Sequence, residues 1–310
     1  MRDYALQIER VKKKLVFLQE ENFSVAPSGT NHKVFISKNF VIRFRDNNPK
    51  ILLLREASFL QKLEHPLIPK VLWAGEFDGS TAMVENRLPG KNIDLVWKKL
   101  SLSSKVSIIK QLVTFLQYLK TQTRSYVYSV HTGKKQVRFF SYLLAGTRQK
   151  AAQIKKFKQA NEALKDILSV INEREIKVLF THDTTITLIH GDLLIHNLLA
   201  KGKNLTGVLD WEFALFGDPD YDLFRLYYYQ ECARAYEKKG VDEIFEADYM
   251  NKLISAIQKS SLIKNKKLFQ KKYRFTRAIF YLNALDWATK SDNPQKNIDE
   301  LVGLWNKKRS

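Results

Sequence analysis

At 310 residues the chain is longer than one compact core usually absorbs, and 45% hydrophobic with 12% aromatic residues can bury a sizeable core, so two lobes are expected and disorder is excluded. Lys and Arg number 52 against 32 Asp and Glu, a formal charge of +20, and the single cysteine, Cys232, excludes a disulfide framework and a multi-cysteine zinc site. No apolar run approaches the ~18 residues of a membrane span, and the charged start from Met1 to Lys14 has no signal-peptide core, so the expected location is the cytoplasm.

In chain order, residues 1–22 carry Ile8, Val11, Leu15 and Leu18 at spacings of three and four, which predicts an amphipathic helix. Lys33 to Ser37 and Phe40 to Phe44 read as a hairpin across Lys38-Asn39. A helix is predicted from Ile51 to Glu64, ended before His65-Pro66, and then two strands, Val71 to Ala74 and Thr81 to Glu85, across a turn at Asp78-Gly79. After Leu88-Pro89-Gly90 the pattern becomes mainly helical, which places a boundary between a lobe of residues 1–88 and a lobe of residues 89–310. Val106, Ile109, Val113 and Leu116 form one stripe of a helix over 103–121. A β element is expected around Val137 to Phe140, Lys-rich helix from Arg148 to Ile171, and three or more helices after Asp220.

The charge is unevenly spread. Lys outnumbers Arg 37 to 15, yet residues 190–250 hold twelve acids against six bases, a local net of −6. A strongly basic chain is a footprint of nucleic-acid binding, but no zinc-finger, RNP or helix-turn-helix pattern accompanies it here. The histidines His32, His65, His131, His182 and His196 show no metal-ligand spacing.

The chemistry is concentrated between residues 185 and 222. Asp192 lies in a polar break after an apolar strand, and Asn197 is five positions on. Leu198 to Ala200 and Gly207 to Leu209 should pair as a hairpin about the turn Lys201 to Asn204, placing Asn197 and Asp210 side by side at its open end. An amide oxygen and a carboxylate are hard ligands that suit Mg²⁺ with phosphate and water. A carboxylate outside the metal shell can accept a proton from an alcohol that attacks phosphorus. Asp192, Asn197 and Asp210 together are a phosphoryl-transfer layout.

At these residues, His190-Gly191-Asp192 through Asn197, Leu209-Asp210-Trp211-Glu212 and Gly217-Asp218-Pro219-Asp220-Tyr221-Asp222, the chain resembles the aminoglycoside phosphotransferase family, which also holds choline and homoserine kinases. The resemblance implies an α+β, bilobal protein-kinase-like fold with a small β-rich N-terminal lobe and a larger, mainly helical C-terminal lobe. It implies Asp192 as catalytic base, Asn197 and Asp210 as Mg²⁺ ligands, and His190 and Asp222 as supports of the catalytic loop. Leu194-Ile195-His196 departs from the family's frequent His-Pro-Gly, at spacer positions.

The small lobe agrees. Glu56 shares a helical stripe with Leu53, Leu60 and Leu63, where a carboxylate is costly unless paired. Arg43 is the cation at hand, and the family has a Lys or Arg there that contacts ATP phosphates and pairs with such a glutamate. By the same resemblance Ser28-Gly29 fall in the nucleotide-covering loop, and the backbone at Glu85 and Arg87 lies at the hinge that reads adenine. Family members acting on polycations line the acceptor cleft with carboxylates, a part Glu212, Glu231 or Asp286 could take, with Asp286 facing the lobe interior beside Trp287.

These readings converge on an ATP- and Mg²⁺-dependent O-phosphotransferase that phosphorylates a hydroxyl of a small molecule such as an aminoglycoside, amino alcohol or sugar. The alternatives are a kinase-like binding protein without catalysis and a basic nucleic-acid-binding protein. The short stretch from Trp211 to Asp218 leaves little room for an activation loop. The +20 charge would repel a polycationic acceptor, which favours a neutral or anionic one. The sequence leaves the oligomeric state open.

Overall fold

The computed structural model describes residues 4–26, 33–45, 51–77, 80–136, 138–180, 185–237 and 246–307. The chain forms two compact units, one made of residues 1–104, 129–134 and 196–214, the other of residues 105–128, 135–195 and 215–310. The chemistry-bearing stretch from residue 185 to 222 is thus divided, with Asp192 in one unit and Asn197 and Asp210 in the other.

Among the described residues of the first unit, five antiparallel strands lie in the order Ser24–Val25, Lys33–Ile36, Phe40–Arg45, Ser80–Asn86, Val71–Phe77. Side chains alternate faces along each strand. Ile42 and Phe44 pair with Val84 and Ala82, and all four join Ile8, Val11, Leu18 and Phe35 in a core that the N-terminal helix closes. That register turns Arg43 and Val41, with their partners Met83 and Glu85, to the opposite face. The helix Ile51–Leu60 lies beside the Ser80–Asn86 and Val71–Phe77 strands, with Leu52, Leu53, Ala57 and Leu60 buried. The N-terminal helix is shorter than the apolar spacing predicts. It ends at Lys14, and Leu18 reaches the core from a 3-10 turn, Val16–Leu18, so helical spacing continued beyond the helix itself. The expected turn at Asp78-Gly79 lies outside the described residues.

A second, three-stranded sheet in this unit has the order Asn204–Val208, Leu198–Lys201, Lys91–Asn92. Gly90 enters it at φ 113°, and a Cβ there would lie 2.6 Å from both the Ala200 carbonyl oxygen and Thr206 Oγ1, so the expected lobe-boundary glycine is required by close backbone approach.

The second unit is mainly helical. Its longest helix, Lys266–Ala288, is capped by Asn265, whose Oδ1 accepts from Leu268 N, and it packs against Asn161–Ile171, Thr147–Ile154, Tyr221–Glu237 and Pro294–Asn306. A small sheet has the order Thr123–Arg124, Ile186–Ile189, Leu215–Gly217, Val127–Ser129, Lys135–Gln136. The strand expected around 137–140 is corrected: the strand precedes it, Val137 lies outside the described residues, and Phe139–Leu144 is a helix. Its Phe139 and Leu143, four apart, are the buried pair, a helical period too short to recognise in four residues. The Lys-rich text forms two helices, Thr147–Ile154 and Asn161–Ile171, separated by a 3-10 turn. In the helix Leu102–Thr121, Ile108, Leu112, Phe115 and Leu119 centre the buried face, and Val106 is exposed, which moves the expected stripe by part of a turn.

Candidate active site

The first unit brings together Arg43, Glu56, Glu85 and Asp210. Strand alternation points Arg43 away from the apolar core, and Glu56 is the polar residue on a helix face otherwise lined with leucines. Arg43 Nη1 donates to Glu56 Oε1 at 2.7 Å and Nη2 to Oε2 at 3.1 Å, with Glu56 fully buried. The same Oε1 accepts from the backbone N–H of Trp211 at 3.2 Å, so Glu56 holds both the strand cation and the residue that follows Asp210. Burial works against charge on Arg43, but attraction from Glu56, Glu85 and Asp210 outweighs it and raises the guanidinium above its usual value. Glu85 is pushed up to about 7 by burial, opposed by Arg43 and reinforced by Glu56 and Asp210. Its Oε2 is buried with no hydrogen-bond partner among the described residues.

Asn197 ends a 3-10 turn, Ile195–Asn197, that leads into the hairpin. The pairing Leu198↔Val208 and Leu199↔Gly207 sets Asn197 opposite Leu209, whose N–H donates to the Asn197 carbonyl at 2.8 Å. Asp210 is therefore one residue beyond the position opposite Asn197. The turn pairs Lys201 with Asn204, which sets the register two positions short of the one expected from the sequence, and an irregularity between Leu199 and Ala200, where one strand carries an extra residue, recovers one of them. Asp210 has φ 63°, the one residue other than glycine in the left-handed region among the described residues. Asp tolerates this left-handed conformation better than most side chains, and such strain clusters at functional sites. Among the described residues no group of three His, Cys, Asp or Glu is arranged to hold a metal ion. One amide and one carboxylate suit Mg²⁺ only with phosphate and water oxygens completing its shell.

At the hinge positions, Glu85 lies within the sheet between Val41 and Val71. The Arg87 N–H donates to the Asn39 carbonyl at 2.8 Å, and its side chain donates to the Ser37 carbonyl at 2.6 Å. Asn86 exchanges bonds with Lys70, its N–H donating to the Lys70 carbonyl and its Oδ1 accepting from the Lys70 N–H. These backbone donors are engaged inside the unit. Ser28 and Gly29 lie outside the described residues.

The second unit builds the loop that carries Asp192. The strand Ile186–Ile189, buried on both faces, delivers His190, and Gly191 turns the chain at φ 84°. Asp222, in the first turn of the helix Tyr221–Glu237, accepts from the N–H groups of His190 (2.9 Å) and Gly191 (2.8 Å). Burial pushes Asp222 up to about 6 in spite of these donors. His190 Nδ1 accepts from the Asp192 N–H at 3.1 Å. The Asp192 carboxylate is met by two groups that sequence reasoning missed: Tyr229 Oη donates to Oδ1 at 2.9 Å, and Arg225 Nη2 lies 3.4 Å from the same oxygen. Their spacing from Asp222, three and seven, is a helical stripe visible in the sequence.

The suggested acceptor carboxylates each have a cation. Glu212 is buried and pairs with Arg45 at 3.1 Å in the first unit. Glu231 receives Arg277 Nε at 2.8 Å and the Tyr273 hydroxyl at 2.5 Å, and Asp286 pairs with Lys290 at 2.7 Å. Trp287 is 69% exposed, not the interior neighbour of Asp286 that was expected. A further buried pair, Lys272 to Asp218 at 2.8 Å, ties the longest helix to the segment before Tyr221.

A profile of the phosphotransferase enzyme family (APH) matches residues 23–249. Among solved structures, aminoglycoside phosphotransferase APH(2'')-Ib with bound ADP is 19% identical over 97% of each chain, with a TM-score of 0.67. The gentamicin complex of APH(2'')-IIa is 19% identical over 98% of this chain and 99% of that one, with a TM-score of 0.68. A thermostable mutant of APH(4)-Ia, in a ternary complex with AMP-PNP and hygromycin B, is 13% identical over 95% and 99%, with a TM-score of 0.62. Among curated proteins no sequence match is found. The fold is the α+β, bilobal kinase-like fold of these enzymes.

Proposed function

Because the chain belongs to the phosphotransferase enzyme family, we propose that it transfers the γ-phosphoryl group of ATP, with Mg²⁺, to a hydroxyl of a small molecule. The observation that carries this reading is the His190-Gly191-Asp192 loop, whose two backbone N–H groups Asp222 pins and whose carboxylate is held by partners of its own. In this reading Asp192 orients the acceptor hydroxyl and takes its proton as the oxygen attacks phosphorus. Arg43, held by Glu56, binds the phosphates, since a guanidinium offers five N–H donors and the pair consumes two. Asn197 and Asp210 would hold Mg²⁺, which when bound neutralises charge on the phosphate oxygens. The segment from Glu85 to Arg87 forms the hinge near the base.

The acceptor is a neutral or anionic alcohol rather than a polycation. The support is the set of ion pairs at Glu212, Glu231 and Asp286, whose carboxylates already have cationic partners, together with the +20 charge. The decisive experiment measures thermal stabilisation by MgATP and ATP consumption across a panel of metabolites and aminoglycosides. Stabilisation by MgATP with turnover on a hydroxylated metabolite supports the reading. Stabilisation without turnover on any acceptor favours a binding protein, and preference for aminoglycosides overturns the acceptor class.

A further inference from the structure

One stripe of the helix Tyr221–Glu237 holds both the backbone and the side chain of the Asp192 loop. Asp222 takes the two N–H groups before Asp192, and the next residues on that face, Arg225 and Tyr229, reach its carboxylate. We infer that Arg225 and Tyr229 are positioning residues for Asp192, fixing the orientation of its carboxylate. The inference rests on the role proposed for Asp192 and deepens it.

The two donors converge on one oxygen. Arg225 Nη2 also donates to the Tyr229 hydroxyl, so a chain of donors runs from the guanidinium through the phenol to Asp192 Oδ1. The phenol can only serve as a donor here while protonated, and burial raises Tyr229 above its usual value, which keeps its proton in place. Arg225 is fixed in turn. Its Cζ lies 5.3 Å from the centroid of the Tyr229 ring and 5.8 Å from that of Phe280, distances at which aromatic faces attract a guanidinium. The Arg225 and Asp192 side chains are 26% and 15% exposed, so their interaction is screened less than one at the open surface.

The consequence is a division of labour on Asp192. A base must present one oxygen to the acceptor, and a carboxylate free to rotate would present either, in many orientations. Holding Oδ1 with two donors directs Oδ2 to the acceptor hydroxyl. The groups that face the carboxylate from the elements around it are Arg225, Tyr229 and Asp222 on the helix, and His190 on the loop, whose Nδ1 holds the Asp192 N–H. Arg225 and Tyr229 both donate to Oδ1, and removing either loosens the orientation of the carboxylate.

The test reads the carbon NMR signal of the Asp192 carboxyl in the full chain at neutral pH, beside the slow hydrolysis of MgATP in which water is the acceptor. Tyr229→Phe and Arg225→Met should each displace that signal, because a donor to Oδ1 is lost. Each should lower kcat by ~10-fold while leaving KM for ATP unchanged, as expected for a lost hydrogen bond to a charged group. Arg225→Lys should restore part of the loss. In an Asp192→Asn background Tyr229→Phe should cost nothing further, because its partner's role is already gone. An unmoved Asp192 signal, or an equal extra loss of kcat in the Asp192→Asn background, overturns the inference. A wild-type chain that binds MgATP without hydrolysing it, but whose Asp192 signal moves as expected in the variants, refutes phosphoryl transfer and leaves the hold on the carboxylate intact.

Discussion

Arg43 and Glu56 meet as a two-pronged ion pair, 2.7 and 3.1 Å, with the carboxylate completely buried on a helix and the guanidinium only 8% exposed on a strand. Because Glu56 also accepts the Trp211 N–H, one side chain links the strand cation to the segment that begins at Asp210. Neither charge has water to fall back on, so removing one partner is far more costly than the net worth of the pair.

Glu56→Gln and Arg43→Ala should each weaken stabilisation by MgATP, and each should lower folding stability by about 3–5 kcal/mol if the remaining charge stays buried. The double variant should lose much less than the sum of the two. Chemical denaturation and MgATP thermal shifts on all four chains measure this coupling, and additive losses would show that the two side chains act separately.

Asp192→Asn should reduce phosphoryl transfer by ~10²-fold or more while MgATP still stabilises the chain, since the amide keeps the shape of the side chain but cannot take a proton. Steady-state turnover beside a thermal shift decides it. Unchanged turnover would remove Asp192 from the role of base.

Glu85 predicts a pH dependence of stability. Burial raises its carboxyl from the ordinary 4.5 to about 7 in the folded chain, so between these values the folded state binds more proton than the unfolded one. The stabilising contribution is complete below about 4.5 and is lost as pH rises through 7, at about 1.4 kcal/mol per unit of displacement. Asp218 and Asp222 are raised by burial in the same direction, so the wild-type curve alone does not isolate Glu85. The difference between wild type and Glu85→Gln does: the variant should gain relative stability from pH 5 to 8, and parallel curves would contradict the shift.

How far the sequence could be read depended on whether a signal was local. The pairing of Arg43 with Glu56 was legible because a lone carboxylate on a leucine stripe demands a cation, and the strand just before it offers one. The site motif was legible because its spacings are short, from His190 to Asn197 and from Leu209 to Asp222. The register at Asn197 and Asp210 was not, because the tight turn that pairs Lys201 with Asn204 sets it two positions short and the extra residue near Leu199 and Ala200 restores only one. Arg225 and Tyr229 were missed for another reason: a helical stripe shows which residues share a face but not which loop that face meets. The fates of Glu212, Glu231 and Asp286 depended on cations up to 167 residues away, as for Arg45 and Glu212.

Asp210 gives the sharpest separation between phosphoryl transfer and the nucleic-acid alternative. It takes a left-handed φ of 63° that most side chains avoid, at the end of a hairpin, where its carboxylate and the amide of Asn197 are the hard oxygen donors we propose for Mg²⁺. Replacing it with Ala removes the charge and leaves a residue less tolerant of that backbone, so Asp210→Asn is the companion variant that keeps the conformation. Both should abolish MgATP turnover, with Asp210→Asn retaining wild-type thermal stability. The basic surface should matter little to this step, because exposed charges are screened over ~8 Å at physiological salt whereas ligation by a carboxylate is direct. The local sequence from residue 190 to 250 is also acidic, net −6 within a chain of +20, so the excess lysines lie outside it. Raising monovalent salt at saturating MgATP should therefore change turnover only modestly. Activity that falls steeply with salt, depends on added RNA or DNA and survives Asp210→Asn would instead identify a nucleic-acid-binding protein, since counterion release gives such complexes a strong salt dependence.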